Sequence, residues 1–206
     1  MTPLEKLQQY FTQFPGIGPR QARRFADFLL RKDERYINGL IKEIQNARAS
    51  LRVCEDSYQY FFARDGSQTK SPLARDPNRD DTTLLVVEKD VDVESIEHSG
   101  AYDGRYFVLG GTVPVLTEEP EKAVRITELK RHVAQKASDA GLREIILGMS
   151  FNPEGENTAA FVKQHLDPVV REYGITISTL GRGLSTGTEL EYSDQDTIGY
   201  ALKNRQ

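Results

Sequence analysis

Thr82-Thr-Leu-Leu-Val-Val87 is a near-continuous β-branched and aliphatic run, and a strand of that kind is stable where both of its faces are covered. The residues after it repeat the demand. Arg105-Tyr-Phe-Val-Leu109, closed by Gly110-Gly111, then Glu144-Ile-Ile-Leu147 and Gly174-Ile-Thr-Ile-Ser-Thr-Leu180 read as three more strands. Helical stretches lie between them. One is short, capped by Asp92 and running to about Ser99; a second starts at Thr127 with Leu129, Val133, Ala137 and Ala140 on one face. A third, from about Asn157, buries Phe161, Leu166 and Val169 or Val170, with a kink expected at Pro168. Strands separated by helices predict an α/β fold: a parallel sheet between helical layers, over residues 82–180.

The amino-terminal quarter follows a different period. Leu4, Leu7, Tyr10 or Phe11 and Phe14 form one apolar stripe, and Ala22, Phe25, Ala26, Leu29 and Leu30 form another; Ile37, Leu40, Ile41 and Ile44 continue the 3.6-residue spacing. The first two stripes are joined by Phe14-Pro-Gly-Ile-Gly-Pro-Arg20. Gly16 and Gly18 have no Cβ, so the chain can take positive φ there and a phosphate can come close to the backbone amides. Pro19 suits the first position of a helix. The free amides of that helix start, with Arg20, Arg23 and Arg24 beside them, favour an anion. Helix, glycine hairpin and helix together resemble a helix-hairpin-helix motif, a DNA-binding device that ignores base sequence; the plain alternative is an ordinary helical hairpin.

Charge supports the first reading. The net charge of −4 conceals an asymmetry: residues 1–52 hold ten Lys/Arg against five Asp/Glu, a balance of +5, which leaves 17 against 26, or −9, for residues 53–206. DNA would sit at the basic end, and the acidic remainder speaks against a uniform nucleic-acid coat. No apolar run approaches the roughly 20 residues that a bilayer demands. The first residues lack the basic-then-apolar order of a secretory leader, and with a single cysteine, Cys54, a cytoplasmic location is expected.

Between Val53 and Asp81 both periods lapse. Cys54-Glu-Asp-Ser57, the aromatics Tyr58, Tyr60, Phe61 and Phe62, the turn signal Asp65-Gly66 between two short strands, Ser71-Pro-Leu-Ala74 and Arg75-Asp-Pro-Asn-Arg79-Asp80 suggest a small loop-rich module. The chain thus divides into a helical hairpin domain (1–52), this module (53–81), the α/β domain (82–180) and a carboxy-terminal segment (181–206) with a glycine-rich loop and a helix.

That order of parts, with Phe14-Pro-Gly-Ile-Gly-Pro-Arg20, Arg75–Asp80, Val86-Val-Glu88, Gly100-Ala-Tyr102, Gly104-Arg-Tyr106, Val108-Leu-Gly-Gly111, Glu154-Gly-Glu-Asn-Thr-Ala159, Gly181-Arg-Gly-Leu184 through Gly187, Leu190-Glu-Tyr192 and Asp194, resembles the RecR family of bacterial recombination mediators nearly end to end. The resemblance implies a Toprim-type α/β domain, a carboxy-terminal segment used in subunit contacts, and homo-oligomers, a dimer or a tetrameric ring around DNA. It implies RecO- or RecF-type partners, with which members help load the RecA recombinase onto strands covered by single-strand-binding protein. Carried onto this chain, it places DNA binding at Gly16, Gly18, Arg20, Arg23 and Arg24, and partner binding at Glu88, Glu154 and Glu156.

The chain departs from that family in one respect. Its members normally hold zinc with two C-x-x-C pairs between hairpin and Toprim domain, and here Cys54 alone is retained, with Ser57, Ser71 and Ala74 in the other three positions. Hydroxyl and methyl groups cannot replace thiolates around tetrahedral zinc, so no zinc and no other cofactor is expected, and the four aromatics are expected to form an apolar mini-core instead.

Toprim enzymes clamp Mg²⁺ between a first-strand glutamate and a later Asp-x-Asp pair. Glu88 meets the first requirement, but the later position reads Ser150-Phe-Asn-Pro-Glu-Gly-Glu156. Asp90-Val-Asp92 spells the pair in the wrong place and reads as a helix cap. No catalytic residue is therefore assigned; an Mg²⁺-dependent Toprim nuclease is the alternative. His98, His132 and His165 lie far apart and read as surface or packing residues, and the Gly181–Gly187 loop lacks the lysine of a P-loop.

Overall fold

A computed structural model describes residues 1–181 and 197–199, and these divide into two compact units, 1–51 and 52 onward. The rest of the carboxy-terminal segment expected at 181–206 lies outside the described residues.

The first unit is helical. Helix α1 (Pro3–Thr12) is opened by a capping box in which Glu5 N–H donates to Thr2 Oγ1 and Thr2 N–H donates to Glu5 Oε2. Helix α2 (Pro19–Leu30) buries Ala22 and Ala26, whose small side chains let the neighbouring helix approach closely. Phe11 stacks edge-on against both Phe14 (5.6 Å) and Phe25 (5.8 Å). Helix α3 (Glu34–Ser50) starts where Asp33 accepts the Tyr36 N–H at 2.8 Å.

Strand β1 (Leu51–Val53) runs into the second unit and pairs with β2 (Tyr60–Phe62), and the short helix α4 (Pro72–Arg75) follows. No strand follows Asp65-Gly66 before α4; that turn, in which Asp65 accepts the Ser67 N–H, comes after β2 and not between the two strands. Four parallel strands come next: β3 (Asp80–Val87), β4 (Gly104–Val108), β5 (Glu144–Gly148) and β6 (Thr176–Thr179), side by side in the order β4-β3-β5-β6. Their connections are α5 (Asp90–Ser99), the short α6 (Pro120–Ala123) with α7 (Ile126–Asp139), and α8 (Pro153–Tyr173).

The run that opens β3 alternates as the pleat requires. Leu84 and Val86 join Phe107, Leu109, Ile145 and Leu147 against Leu129 and Val133 of α7 and Val162 and Leu166 of α8. Leu85 and Val87 join Tyr106 and Val108 on the other face, against Val93 of α5. Both faces of the central strand are covered, as its composition demanded.

Two helix starts lie more than one residue from the sequence expectation. Helix α5 begins at Asp90, so Asp92 lies in its first turn, where its carboxylate accepts the Lys89 N–H at 2.8 Å and does not precede the helix. Helix α8 begins four residues before Asn157, at Pro153, because Asn152 caps it by accepting the Gly155 N–H at 2.8 Å and Pro153 fits its first position. Pro168, where a kink is expected, lies inside α8, which runs on to Tyr173.

Candidate functional site

The hairpin between α1 and α2 is built by its prolines and glycines. Phe14 C=O accepts the Ile17 N–H at 3.0 Å across Pro15 and Gly16, and Gly16 takes φ +74°, which only glycine adopts without strain. Gly18 then precedes α2 in extended conformation and, having no side chain, leaves the helix start uncapped. Its φ of −83° would suit any residue, and an added Cβ would meet nothing within 4 Å. Neither backbone strain nor packing inside the chain calls for glycine there, whereas a group approaching from outside would.

The three arginines follow on the first turns of α2, all exposed. The Arg20 side chain has no hydrogen bond or ion pair with another described residue. Arg23 reaches Asp27 one turn on, Nε to Oδ2 at 3.2 Å, an exposed pair worth little. Arg24 contacts only the neutral Gln21 side chain, at 3.4 Å. The hairpin therefore presents uncapped amides and at least two uncompensated guanidinium groups to solvent, a surface that suits a phosphate backbone.

The three carboxylates expected at Toprim positions divide between two environments. Glu88 ends β3 and is 4% exposed; Oε1 accepts the Ser150 N–H at 2.7 Å and Oε2 accepts the Ser150 hydroxyl at 2.8 Å. Both oxygens are thus engaged by one residue, and Glu88 faces inward. Glu154 and Glu156 stand exposed in the first turn of α8, where the helix dipole favours acids. Glu154 Oε2 also accepts from Thr112 Oγ1 at 3.2 Å.

The local reason for the fold here is Gly155, whose absent Cβ would lie 2.0 Å from the Ser150 carbonyl oxygen. Ser150 can settle on Glu88 only because the first turn of α8 carries a glycine beneath it. Nearby, Asp90 accepts the Tyr60 N–H at 2.6 Å, so the Asp90-Val-Asp92 pair is spent on local structure. Among the described residues no cluster of three or more His, Cys, Asp or Glu is placed to hold a metal ion. With a serine where a clamp needs a carboxylate, the donors around Glu88 do not fit Mg²⁺.

The small module is organised around Cys54. Its sulfur accepts the N–H groups of Ser57 (3.5 Å) and Ser71 (3.3 Å), and Ser71 Oγ in turn accepts the Ala74 N–H at 3.2 Å. The four positions expected around zinc are therefore gathered at one point, with Cys54, Ser57 and Ser71 buried. One thiol, two hydroxyls and a methyl group do not fit the metal. Burial opposes ionisation of the Cys54 thiol, but the bonds from Ser57 and Ser71 outweigh it and hold the thiol below its ordinary value.

The expected mini-core of four aromatics does not form. Strand β2 turns alternate side chains to opposite sides, so Phe61 is buried while Tyr60 and Phe62 face solvent. Tyr58, at φ +57°, leaves the module to pack on Phe107 of the sheet, 5.1 Å between rings. Arg105 ties the module down: it pairs with Asp81 at 2.8 Å and donates to the Leu73 and Ala74 carbonyls at 3.2 Å. Arg79 pairs with Glu97 and donates to Gly104 C=O at 2.9 Å.

The sequence reading missed Ser150, Asn157 and Thr158 as organisers of this region. The signal available was Asn152-Pro153 followed by two acids, a helix start that would have placed α8 correctly.

Comparison with known proteins agrees with this arrangement. Residues 82–181 match a family model described as Toprim domain, residues 4–48 one described as RecR, helix-hairpin-helix, and residues 183–206 one described as RecR, C-terminal. The recombination protein RecR of Methylorubrum populi is 35% identical over 204 residues, 98% of this chain and 94% of that protein. That of Chloroflexus aggregans is 34% identical over 204 residues, 99% and 93% of the two chains, and that of Gloeothece citriformis 32% over 204 residues, 99% and 96%.

Proposed function

The chain belongs to the RecR family of recombination proteins, and we propose that it serves recombinational DNA repair as a DNA-binding mediator and not as an enzyme. The observation that carries this reading is the exposed hairpin: an uncapped helix start behind Gly18 with Arg20 and Arg24 free to meet phosphates. Contacts of that kind fix position without reading bases, so binding is independent of sequence.

The acidic surface at Glu154 and Glu156 is the partner side, receiving a RecO- or RecF-type protein that assists RecA loading. Glu88 supports that surface from beneath by holding Ser150. The protein works in the cytoplasm as a homo-oligomer, a dimer or a tetrameric ring; no helix among the described residues is long and apolar enough to cross a membrane. The module around Cys54 keeps its shape without zinc, and the non-enzymatic reading is supported by the engagement of Glu88, Asp90 and Asp92 in hydrogen bonds, with no carboxylate clamp among the described residues.

Fluorescence anisotropy of labelled DNA against salt tests the reading. Arg20→Ala with Arg24→Ala should weaken binding to every sequence alike and lower the salt slope by about 2, one per phosphate contact. Unchanged affinity would remove the hairpin from the mechanism, and cleavage of the DNA on adding Mg²⁺ or Mn²⁺ would overturn the non-enzymatic reading.

A further inference from the structure

The connection that leaves β4 is fixed at both ends and apolar at its tip. At its start Val113 is buried in the main core, its N–H donates to Thr158 Oγ1 at 2.8 Å, and its carbonyl accepts from Asn157 Nδ2 at 2.9 Å. Thr112 donates to Glu154 beside them. At its far end Glu119 N–H donates to Thr117 Oγ1 at 3.3 Å, and Glu119 C=O accepts the Lys122 N–H at 3.1 Å as α6 begins. Between these anchors Val115 is 57% and Leu116 97% exposed.

Single exposed leucines are ordinary. This one differs in its setting: an adjacent exposed valine, a backbone held by Asn157 and Thr158 of α8, and acids on both sides. Glu118, Glu119 and Glu121 follow it in sequence, and Glu154 and Glu156 stand exposed on the helix that pins its base. The one cation in that stretch, Lys122, is paired with Glu119 at 2.5 Å.

We propose that Val115 and Leu116 are the apolar anchor through which this unit docks on a partner protein, seated in an apolar pocket whose rim carries Lys or Arg to face Glu118, Glu154 and Glu156. The inference deepens the partner-side reading above and rests on it. The acids decide the class of occupant, since they would repel both a phosphate backbone and an anionic lipid surface. An apolar centre inside a charged rim is the layout in which a few residues dominate affinity. Because α8 already holds the loop, docking loses less conformational freedom than a mobile tip would. The rim charges act chiefly on the rate of encounter.

The test is titration of the full chain with the RecO-type protein of the same organism, by calorimetry, for wild type, Leu116→Ser and Val115→Ser with Leu116→Ser. Both side chains are exposed, so thermal unfolding and DNA affinity should not move. Partner affinity should fall on the order of 10- to 100-fold, the effect of one unburied leucine side chain, and raising salt should weaken binding of the wild type. Wild-type binding with unchanged affinity in the variants overturns this inference alone. Absence of wild-type binding overturns the partner-side reading and this inference with it. A variant that instead loses self-association in sedimentation would show that the tip meets a second copy of the chain, and overturns the inference as well.

Discussion

Glu88 accepts both donors of Ser150, the backbone N–H at 2.7 Å and the hydroxyl at 2.8 Å, across 62 residues of sequence. The glutamate that a Toprim enzyme would devote to a metal here holds the loop entering α8. Glu88→Gln replaces one charged acceptor oxygen with an amide N–H, so the Ser150 hydroxyl must turn from donor to acceptor and both charge-assisted bonds are lost inside a buried site. It should lower stability by about 1–3 kcal/mol, read from urea unfolding. Addition of Mg²⁺ should shift neither the wild-type nor the variant midpoint; a metal-dependent shift confined to wild type would show that Glu88 binds the ion.

Gly155→Ala tests the same contact from the other side. The new Cβ would sit 2.0 Å from the Ser150 carbonyl oxygen, and the obstacle is backbone, which cannot rotate away. Ser150 must shift off Glu88, and the expected loss is about 2–3 kcal/mol. A variant as stable as wild type would mean that this loop moves freely.

Cys54→Ala leaves the buried Ser57 and Ser71 amides without their sulfur acceptor. The expected cost is about 1–3 kcal/mol, with Cys54→Ser losing less because a hydroxyl still accepts. If the module is held together in this way, EDTA should leave the thermal midpoint of the wild type unchanged, and metal analysis should find no stoichiometric zinc.

His132 gives a pH signature. It packs on the Phe107 ring at 5.6 Å, and its Nε2 is buried without a partner among the described residues. It lines a cavity of about 20 Å³ with Asp56, Ser57, Gln59, Arg105, Tyr106 and Lys136. Burial, reinforced by Lys136, pushes its imidazole down to about 4 from 6.5. The unfolded chain therefore binds the proton first as pH falls, and stability present above about pH 6.5 is lost progressively down to about pH 4, by up to about 3 kcal/mol. His132→Leu should flatten that slope between pH 6.5 and 4, whatever it does to stability at neutral pH.

Much of this was legible locally. The Thr82–Val87 run demanded a strand covered on both faces, and Leu84 and Val86 duly oppose Leu85 and Val87. Of the two glycines expected to allow positive φ in the hairpin, Gly16 takes it and the turn forms there, whereas Gly18 is extended at φ −83°. Such features depend on residues within a few positions of one another. The aromatics of 58–62 were misjudged because composition reports how much apolar area is available, while the strand pleat decides that Phe61 goes in and Phe62 goes out.

What the sequence determined by itself was the kind of unit at each place: a glycine hairpin with arginines behind it, a module stripped to one cysteine, a parallel sheet. The tertiary structure alone decided which groups those units bring together. It set Ser150 on Glu88, joined Ser71 to Cys54 across 17 residues, and fixed the base of the Val115–Leu116 tip to Asn157 and Thr158. Periodicity is a property of neighbours along the chain, whereas a hydrogen bond between distant groups exists only once the sheet and its helices have packed and excluded the water that would otherwise satisfy them.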